Sequence, residues 1–194
     1  VAESAFAGCA PVLPTREGAA AHPVEPLSLV SVTVWHGEDT ALAHLAKTTF
    51  ALDLPQAGRW THAGDIIAIW IGPGHWWLQG ALLRDLTPLA AHAGLIDLSD
   101  ARAMLRIYGP EDRDMLASLL PIDLHPRGFA PGRAASTVAG HIAVHIRQLD
   151  TVPTYDLSCA RSYAGSLWRA LEMAGNGRIR LDLAERPAEA VSPH

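Results

Sequence analysis

"HGEDTALAHLAKTTFALDLP" at 36–55 and "GPEDRDMLASLLPIDLHP" at 109–126 are two versions of one pattern. Each opens on a turn that ends in Glu-Asp, passes through a short helical stretch and leaves through "DL". Working outward, each copy then reaches an arginine in a Gly/Pro-rich stretch, Arg59 and Arg133. "AGDIIAIWI" at 63–71 is answered by "AGHIAVHI" at 139–146. Similarity over this length marks one structural unit used twice, so function has to be sought in the pair.

The elements around the repeat follow from hydrophobic period. Val30, Val32 and Val34 alternate with Ser31 and Thr33, which predicts a strand with one buried face. Asp39 is placed to cap a helix whose Leu42, Leu45 and Ala46 share one side. "DIIAIWI" at 65–71 and "HWWLQ" at 75–79 read as antiparallel strands joined by the turn Gly72-Pro73-Gly74. Leu82, Leu83, Leu86, Leu89 and Ala90 predict a helix to about Ala93, ended by a left-handed Gly94, and "LIDLS" at 95–99 a closing strand. The second copy repeats the order. "AMLRIY" at 103–108 is a strand, Met115, Leu116 and Leu119 form one helix face, and "HIAVHI" and "TYDLSC" make a hairpin around 150–153. Ser162 is placed to cap a helix carrying Leu167, Trp168 and Leu171, and "RIRLDL" at 178–183 closes the unit.

Each unit is therefore β-α-β-β-α-β, and the fold class is α+β, two tandem ferredoxin-like units packed as a pseudo-duplicated domain. The expected divisions are a flexible Ala/Pro-rich arm at 1–26, a first repeat at 27–99, a second at 100–183 and a flexible tail at 184–194.

Composition narrows the function. The chain has 194 residues, enough for a substantial core, with 15 basic against 20 acidic residues and a net charge of −5. No Lys/Arg block supplies the footprint that nucleic-acid phosphates require. Cys9 and Cys159 stand in unrelated contexts, which suits a reducing compartment and offers no disulfide framework. No apolar run is long enough to cross a bilayer and no signal-peptide pattern opens the chain, so the expected location is the cytoplasm.

Candidate chemistry has to be weighed against structural roles. His141 and His145 alternate with Ile142, Val144 and Ile146, so they lie on a strand. Four strand residues separate such rings by about 13 Å, too far for one metal ion, and a solvated or interface role is favoured. Asp53 and Asp123 could act as bases or could bind the backbone N–H groups of the turns that follow. Their occurrence in both copies favours architecture. His125 and Arg127 occur only in the second copy, in "DLHPRGFAPGR". That loop, with Arg133, is a candidate for partner or anion contact, and a merely solvated loop fits as well. Six tryptophans exceed what a core of this size needs. Adjacent Trp76 and Trp77 must face opposite sides of a strand, so one of them is a candidate for burial by another chain. No nucleophile elbow, P-loop or GxGxxG pattern is present.

The residues carry a family resemblance as well. "DLSDARAMLRIYGPEDRDMLASLLPIDLHPRGFAPGRAASTVAGHIAVHIRQLD" at 97–150, "YDLSCARSYAGSLWRAL" at 155–171 and "WIGPGHWWLQG" at 70–80 resemble the gamma subunits of heterotetrameric sarcosine oxidases. The likeness covers about residues 28–175 and is densest at "PIDLHPRGFAPG" and "RSYAGSLW". It extends to the folate-dependent aminomethyltransferases, where a "D-x-S" strand also precedes a "GPD-A" style turn, matched here by Asp97, Ser99 and Gly109 to Asp112. Those transferases carry an acidic pair after the glycine of the next strand. Here Gly140 leads into "HIAVHI", with no carboxylate before Asp150.

The resemblance implies an aminomethyltransferase-like fold and a place in a flavoenzyme that oxidatively demethylates sarcosine to glycine. Such an enzyme reduces oxygen to hydrogen peroxide and passes the one-carbon unit to tetrahydrofolate or releases it as formaldehyde. FAD, FMN, NAD, tetrahydrofolate and zinc are then expected in alpha, beta and delta partners. This chain would supply no catalytic, cofactor-binding or metal residue and would act as a scaffold. Candidate partner contacts are Trp76, Trp77, His125, Arg127, Arg133 and Arg161. The corresponding subunit of N-methylglutamate dehydrogenase and a free-standing folate-binding protein remain alternatives.

Overall fold

The computed structural model describes residues 4–7, 9, 19–25, 28–175 and 180–181. Its described residues fall into two units, one formed by residues 26–101 with 133–135 and the other by 1–25, 102–132 and 136–194. A short strand, β1 (Ala20–Pro23), belongs to the second of these and comes first in the chain.

In the first unit the order is β2 (Leu29–Val34), α1 (Asp39–Phe50), β3 (Trp60–Ala63), β4 (Ile66–Gly72), β5 (His75–Gln79), a 3-10 helix (Leu83–Ala91) and β6 (Ala93–Asp97). The sheet order is β3-β4-β5-β2-β6, antiparallel throughout. Setting aside the edge strand β3, this is the split β-α-β-β-α-β arrangement expected from the repeat.

Alternation along β2 sends Val30 and Val32 to one face, where they pack with Leu42, Ala46, Leu52, Leu78, Leu86 and Leu89. Most of these side chains are wholly buried, and each such leucine contributes about 1.5–3 kcal/mol of transfer free energy. The other face carries Leu29, Ile69, Trp77 and Ala134.

Three local expectations are corrected here. Asp39 lies inside α1, whose N-cap is Glu38, and no side chain caps that end. The segment after β5 is a 3-10 helix, because Pro88 lacks an N–H and its ring would clash with the carbonyl four residues back in an α-helix. Gly94 is not left-handed. It lies within β6, where a Cβ would come 3.1 Å from Cη2 of Trp35, so it is glycine because an indole rests on it. Left-handed glycines of this unit include Gly74 (φ 64°), which closes the β4–β5 turn.

The second unit continues with β7 (Arg102–Tyr108), α2 (Asp112–Leu119), β8 (Ala134–Ala139), β9 (Ile142–Gln148), β10 (Thr154–Ala160), a 3-10 turn (Arg161–Tyr163), α3 (Ala164–Ala174) and β11 (Arg180–Leu181). Its sheet order is β11-β1-β7-β10-β9-β8. This repeats the first sheet with one change, the insertion of β1 between β7 and β11. β1 pairs antiparallel with β7 and parallel with β11.

The expectation of a loose arm over 1–26 is therefore corrected for residues 20–23. Ala20 and Ala21 are buried and small, which suits a strand inserted inside a sheet. The tail at 184–194 and most of "RIRLDL" lie outside the described residues. The expected cap at Ser162 is also corrected. It lies in the 3-10 turn, and α3 starts after Tyr163 without a side-chain cap. Leu167, Trp168 and Leu171 of α3 are buried as their spacing predicts. The α+β class and the duplicated ferredoxin-like architecture hold in both units.

Candidate functional site

The second sheet carries a buried ionic cluster at its centre. Arg106 on β7, Asp156 on β10 and Arg147 on β9 are cross-strand neighbours, with Asp156 paired to both arginines in the register. Arg106 donates to both carboxylate oxygens of Asp156 from Nε (2.8 Å) and Nη2 (3.1 Å). Arg147 donates from Nη2 at 2.6 Å and Nε at 3.1 Å. Asp156 and Arg147 are each 1% exposed. Burial pushes the Asp156 carboxyl up, but Arg147 and Arg106 outweigh it and hold it below the usual range. A carboxylate held this way is ionised, saturated with donors and unable to serve as a base.

The same unit holds a second buried acid. Asp112, in the first turn of α2, is 1% exposed, and burial raises its pKa to about 7. The Arg113 backbone N–H and guanidinium oppose that rise, while Asp150 and Asp114 add to it. The Arg113 guanidinium donates from Nε to the Tyr155 hydroxyl at 3.1 Å.

The first unit has a Ser–His pair that the sequence reading did not single out. Ser31 Oγ lies 2.7 Å from His75 Nε2 across β2 and β5, and burial pulls the His75 pKa down, which keeps the ring neutral. The geometry is that of a nucleophile and its base. Ser31 is 7% exposed, however, and opposite Trp77 in the register, which leaves its hydroxyl little room to meet a carbonyl.

The candidate residues from the sequence do not converge. Trp76 and Trp77 do take opposite faces. Trp76 packs against the helix-side core and donates from Nε1 to the Pro55 carbonyl at 2.9 Å. Trp77 is 7% exposed within the opposite cluster, so its cover comes from its own chain. His125 and Arg127 share one exposed turn in the second unit, where Asp123 accepts the His125 N–H at 2.8 Å and His125 Nδ1 accepts the Arg127 N–H at 3.2 Å. Arg161 opens a 3-10 turn elsewhere in that unit. Arg133 belongs with the first unit, bridged to Arg59.

Asp123 therefore holds backbone as expected, whereas Asp53 does not. Its carboxylate pairs with Lys47 at 2.6 Å. His141 is exposed in the β8–β9 turn, while His145, expected to be solvated or at an interface, is 5% exposed on β9. Among the described residues, no three His, Cys, Asp or Glu side chains are grouped to hold a metal ion.

An open groove of about 920 Å³ runs between α2, α3 and the β8–β9 turn. Its polar side chains include His141, Arg169 and Glu172, and no hydrogen bond joins any two of them. No described helix is long and apolar enough to cross a membrane.

With this geometry in view, comparison with known proteins gives the family. The model of the sarcosine oxidase, gamma subunit family matches residues 36–176. The chain belongs to that family. The sarcosine oxidase subunit gamma of Corynebacterium sp. (strain U-96) is 36% identical over 91 residues, 42% of this chain and 44% of that protein. The aligned part thus spans less than half of the relative's length.

Among solved structures, the heterotetrameric sarcosine oxidase of Corynebacterium sp. U-96, in complex with pyrrole 2-carboxylate, matches with a TM-score of 0.77. Identity is 21%, over 94% of this chain and 99% of that one. The glycine cleavage system aminomethyltransferase T of Bartonella henselae matches with a TM-score of 0.59 at 15% identity, over 85% of this chain and 48% of that one. These two likenesses concern the fold. They support the duplicated arrangement and a fold like that of the aminomethyltransferase.

Proposed function

We propose that this gamma-family chain is a noncatalytic scaffold in a heterotetrameric, flavin-dependent sarcosine oxidase. That enzyme would oxidise sarcosine to glycine and pass the one-carbon unit to tetrahydrofolate. The observation that carries this reading is the family match over residues 36–176. What the polar side chains do supports the scaffold role. Asp156 is saturated by two arginines, Asp123 holds a turn, Asp53 pairs with a lysine, and Ser31 and His75 satisfy one another inside a sheet. Groups committed in this way define shape, and shape is what excluding water from a reactive imine requires.

FAD, FMN, NAD, tetrahydrofolate and zinc belong, on this reading, to the alpha, beta and delta partners, and the site of action is cytoplasmic. The exposed His125–Arg127 turn, Arg161 and Arg133 remain proposed contacts. Co-expressing the other subunits with and without this chain tests the role. The expected result is loss of the assembled, active complex without the chain and its recovery when the purified chain is added. A complex that forms and turns over equally well without it would refute the proposal.

A further inference from the structure

The two arginines that mark the internal repeat meet in the first unit. Arg59 and Arg133 are opposed across an antiparallel bridge, fixed by the Ala134 N–H donating to the Gly58 carbonyl at 2.9 Å. Residues directly opposed in this way share a face, with Cβ atoms about 4.5–5.5 Å apart. The Trp70 N–H donates to the Arg59 carbonyl at 3.0 Å, extending the β3–β4 register by one residue, and Trp70 is itself paired with Trp76. Arg133, Arg59, Trp70 and Trp76 thus form one row across neighbouring strands. Arg59 is exposed and the other three are half-buried.

Neither guanidinium of the row has an ion pair or side-chain hydrogen bond among the described residues. Arg106 and Arg147, by contrast, each hold a carboxylate. Asp53, six residues before Arg59, is held by Lys47, and Asp65, six residues after it, makes no ion pair with Arg59. Like charges directly opposed across strands destabilise the pair. A carboxylate lying between them would reverse that sign, because each guanidinium can donate two parallel hydrogen bonds to it. The half-buried Trp70 beside Arg59 adds flat apolar surface, and Arg and Trp are among the residues enriched at interface hot spots. The whole chain carries a net charge of −5, so the row is a local exception that would steer an acidic partner to one place.

We propose that this row is a docking surface for an acidic segment of a partner subunit, which sets an Asp or Glu carboxylate between Arg59 and Arg133. The inference rests on the reading of the chain as an assembly subunit. The test uses the full-length chain and the remaining subunits prepared without it, with affinity measured over a salt series. The variants are R59Q/R133Q and R59K/R133K.

The Gln pair is expected to weaken association by roughly tenfold or more and to flatten its salt dependence, with the Lys pair in between. The free R59Q/R133Q chain should melt at or above the wild-type temperature, because the substitution removes a repulsion. Wild-type affinity and salt dependence in the Gln pair would overturn the docking surface and leave the subunit reading intact. A free-chain melting temperature that falls in step with affinity would also overturn it, by showing that the arginines hold the fold. Failure of the wild-type chain to associate would overturn the subunit reading itself.

Discussion

Replacing Asp112 with Asn should stabilise this protein at alkaline pH and leave it unchanged in acid. Asp112 sits in the first turn of α2 with 1% of its surface exposed, and its pKa is raised to about 7 from an ordinary value of 3.8. A raised folded-state pKa means that between pH 3.8 and about 7 the folded chain holds a proton that the unfolded chain has lost. Stability from this group is therefore full below 3.8 and declines as pH rises through about 7. At 1.36 kcal/mol per pH unit the interval amounts to about 4 kcal/mol. The pKa of about 7 already includes the opposing Arg113 N–H and guanidinium, so the expected gain in Asp112→Asn at pH 8 is about 4 kcal/mol.

Asn keeps the shape and remains neutral, so the difference between variant and wild type should vanish near pH 4. Urea unfolding of both chains across pH measures it directly. Asp114→Asn serves as the control, because Asp114 is exposed and raises Asp112 only from a distance. Parallel stability curves for Asp112→Asn and wild type would refute the reasoning. A variant less stable at pH 8 would show that the ionised carboxylate is needed.

Three further outcomes follow from the packing. Arg147→Ala leaves Asp156 buried beside a lost partner and should cost about 3–5 kcal/mol by denaturant unfolding, whereas exposed Arg84→Ala should cost less than about 1 kcal/mol. Leu78→Ala and Trp77→Ala should each destabilise the free chain, by about 2–5 and 3–5 kcal/mol, since both side chains are buried within their own unit. A Trp77→Ala chain of full stability that fails to assemble would mean that its cover comes from a partner after all. In native protein a thiol reagent should modify Cys9 and spare Cys159, which is fully buried with its pKa pushed up to about 11. Equal labelling of both in the folded state would contradict the burial.

Strand and helix order was legible in the sequence because period and turn residues agree there. Val30–Val34 alternates, Gly72-Pro73-Gly74 cannot extend, and Leu167, Trp168 and Leu171 share a helix face. What escaped depends on distant partners. Nothing local marks residues 20–23 as a strand, since their pairing with β7 is a tertiary event. The 3-10 segment follows from Pro88, a signal that was present in the sequence and outweighed by the leucine spacing.

The charged cluster left a trace that sequence reading passed over. Arg106, Arg147 and Asp156 each interrupt an apolar strand, and a charge in such a place needs an opposite charge nearby. His145 misled because alternation assigns residues to faces without saying whether a face is covered. Trp76 and Trp77 were placed correctly on opposite faces, but only the packing shows that the chain covers Trp77 itself.

The most direct test of the subunit account is to purify the full-length tagged chain from its own cells grown on sarcosine. Partner masses and the visible absorbance of the eluate are then recorded. The account predicts a yellow, flavin-bearing complex in which this chain is stoichiometric with larger partners and which consumes oxygen when sarcosine is added. A colourless chain eluting alone from cells that oxidise sarcosine would contradict it.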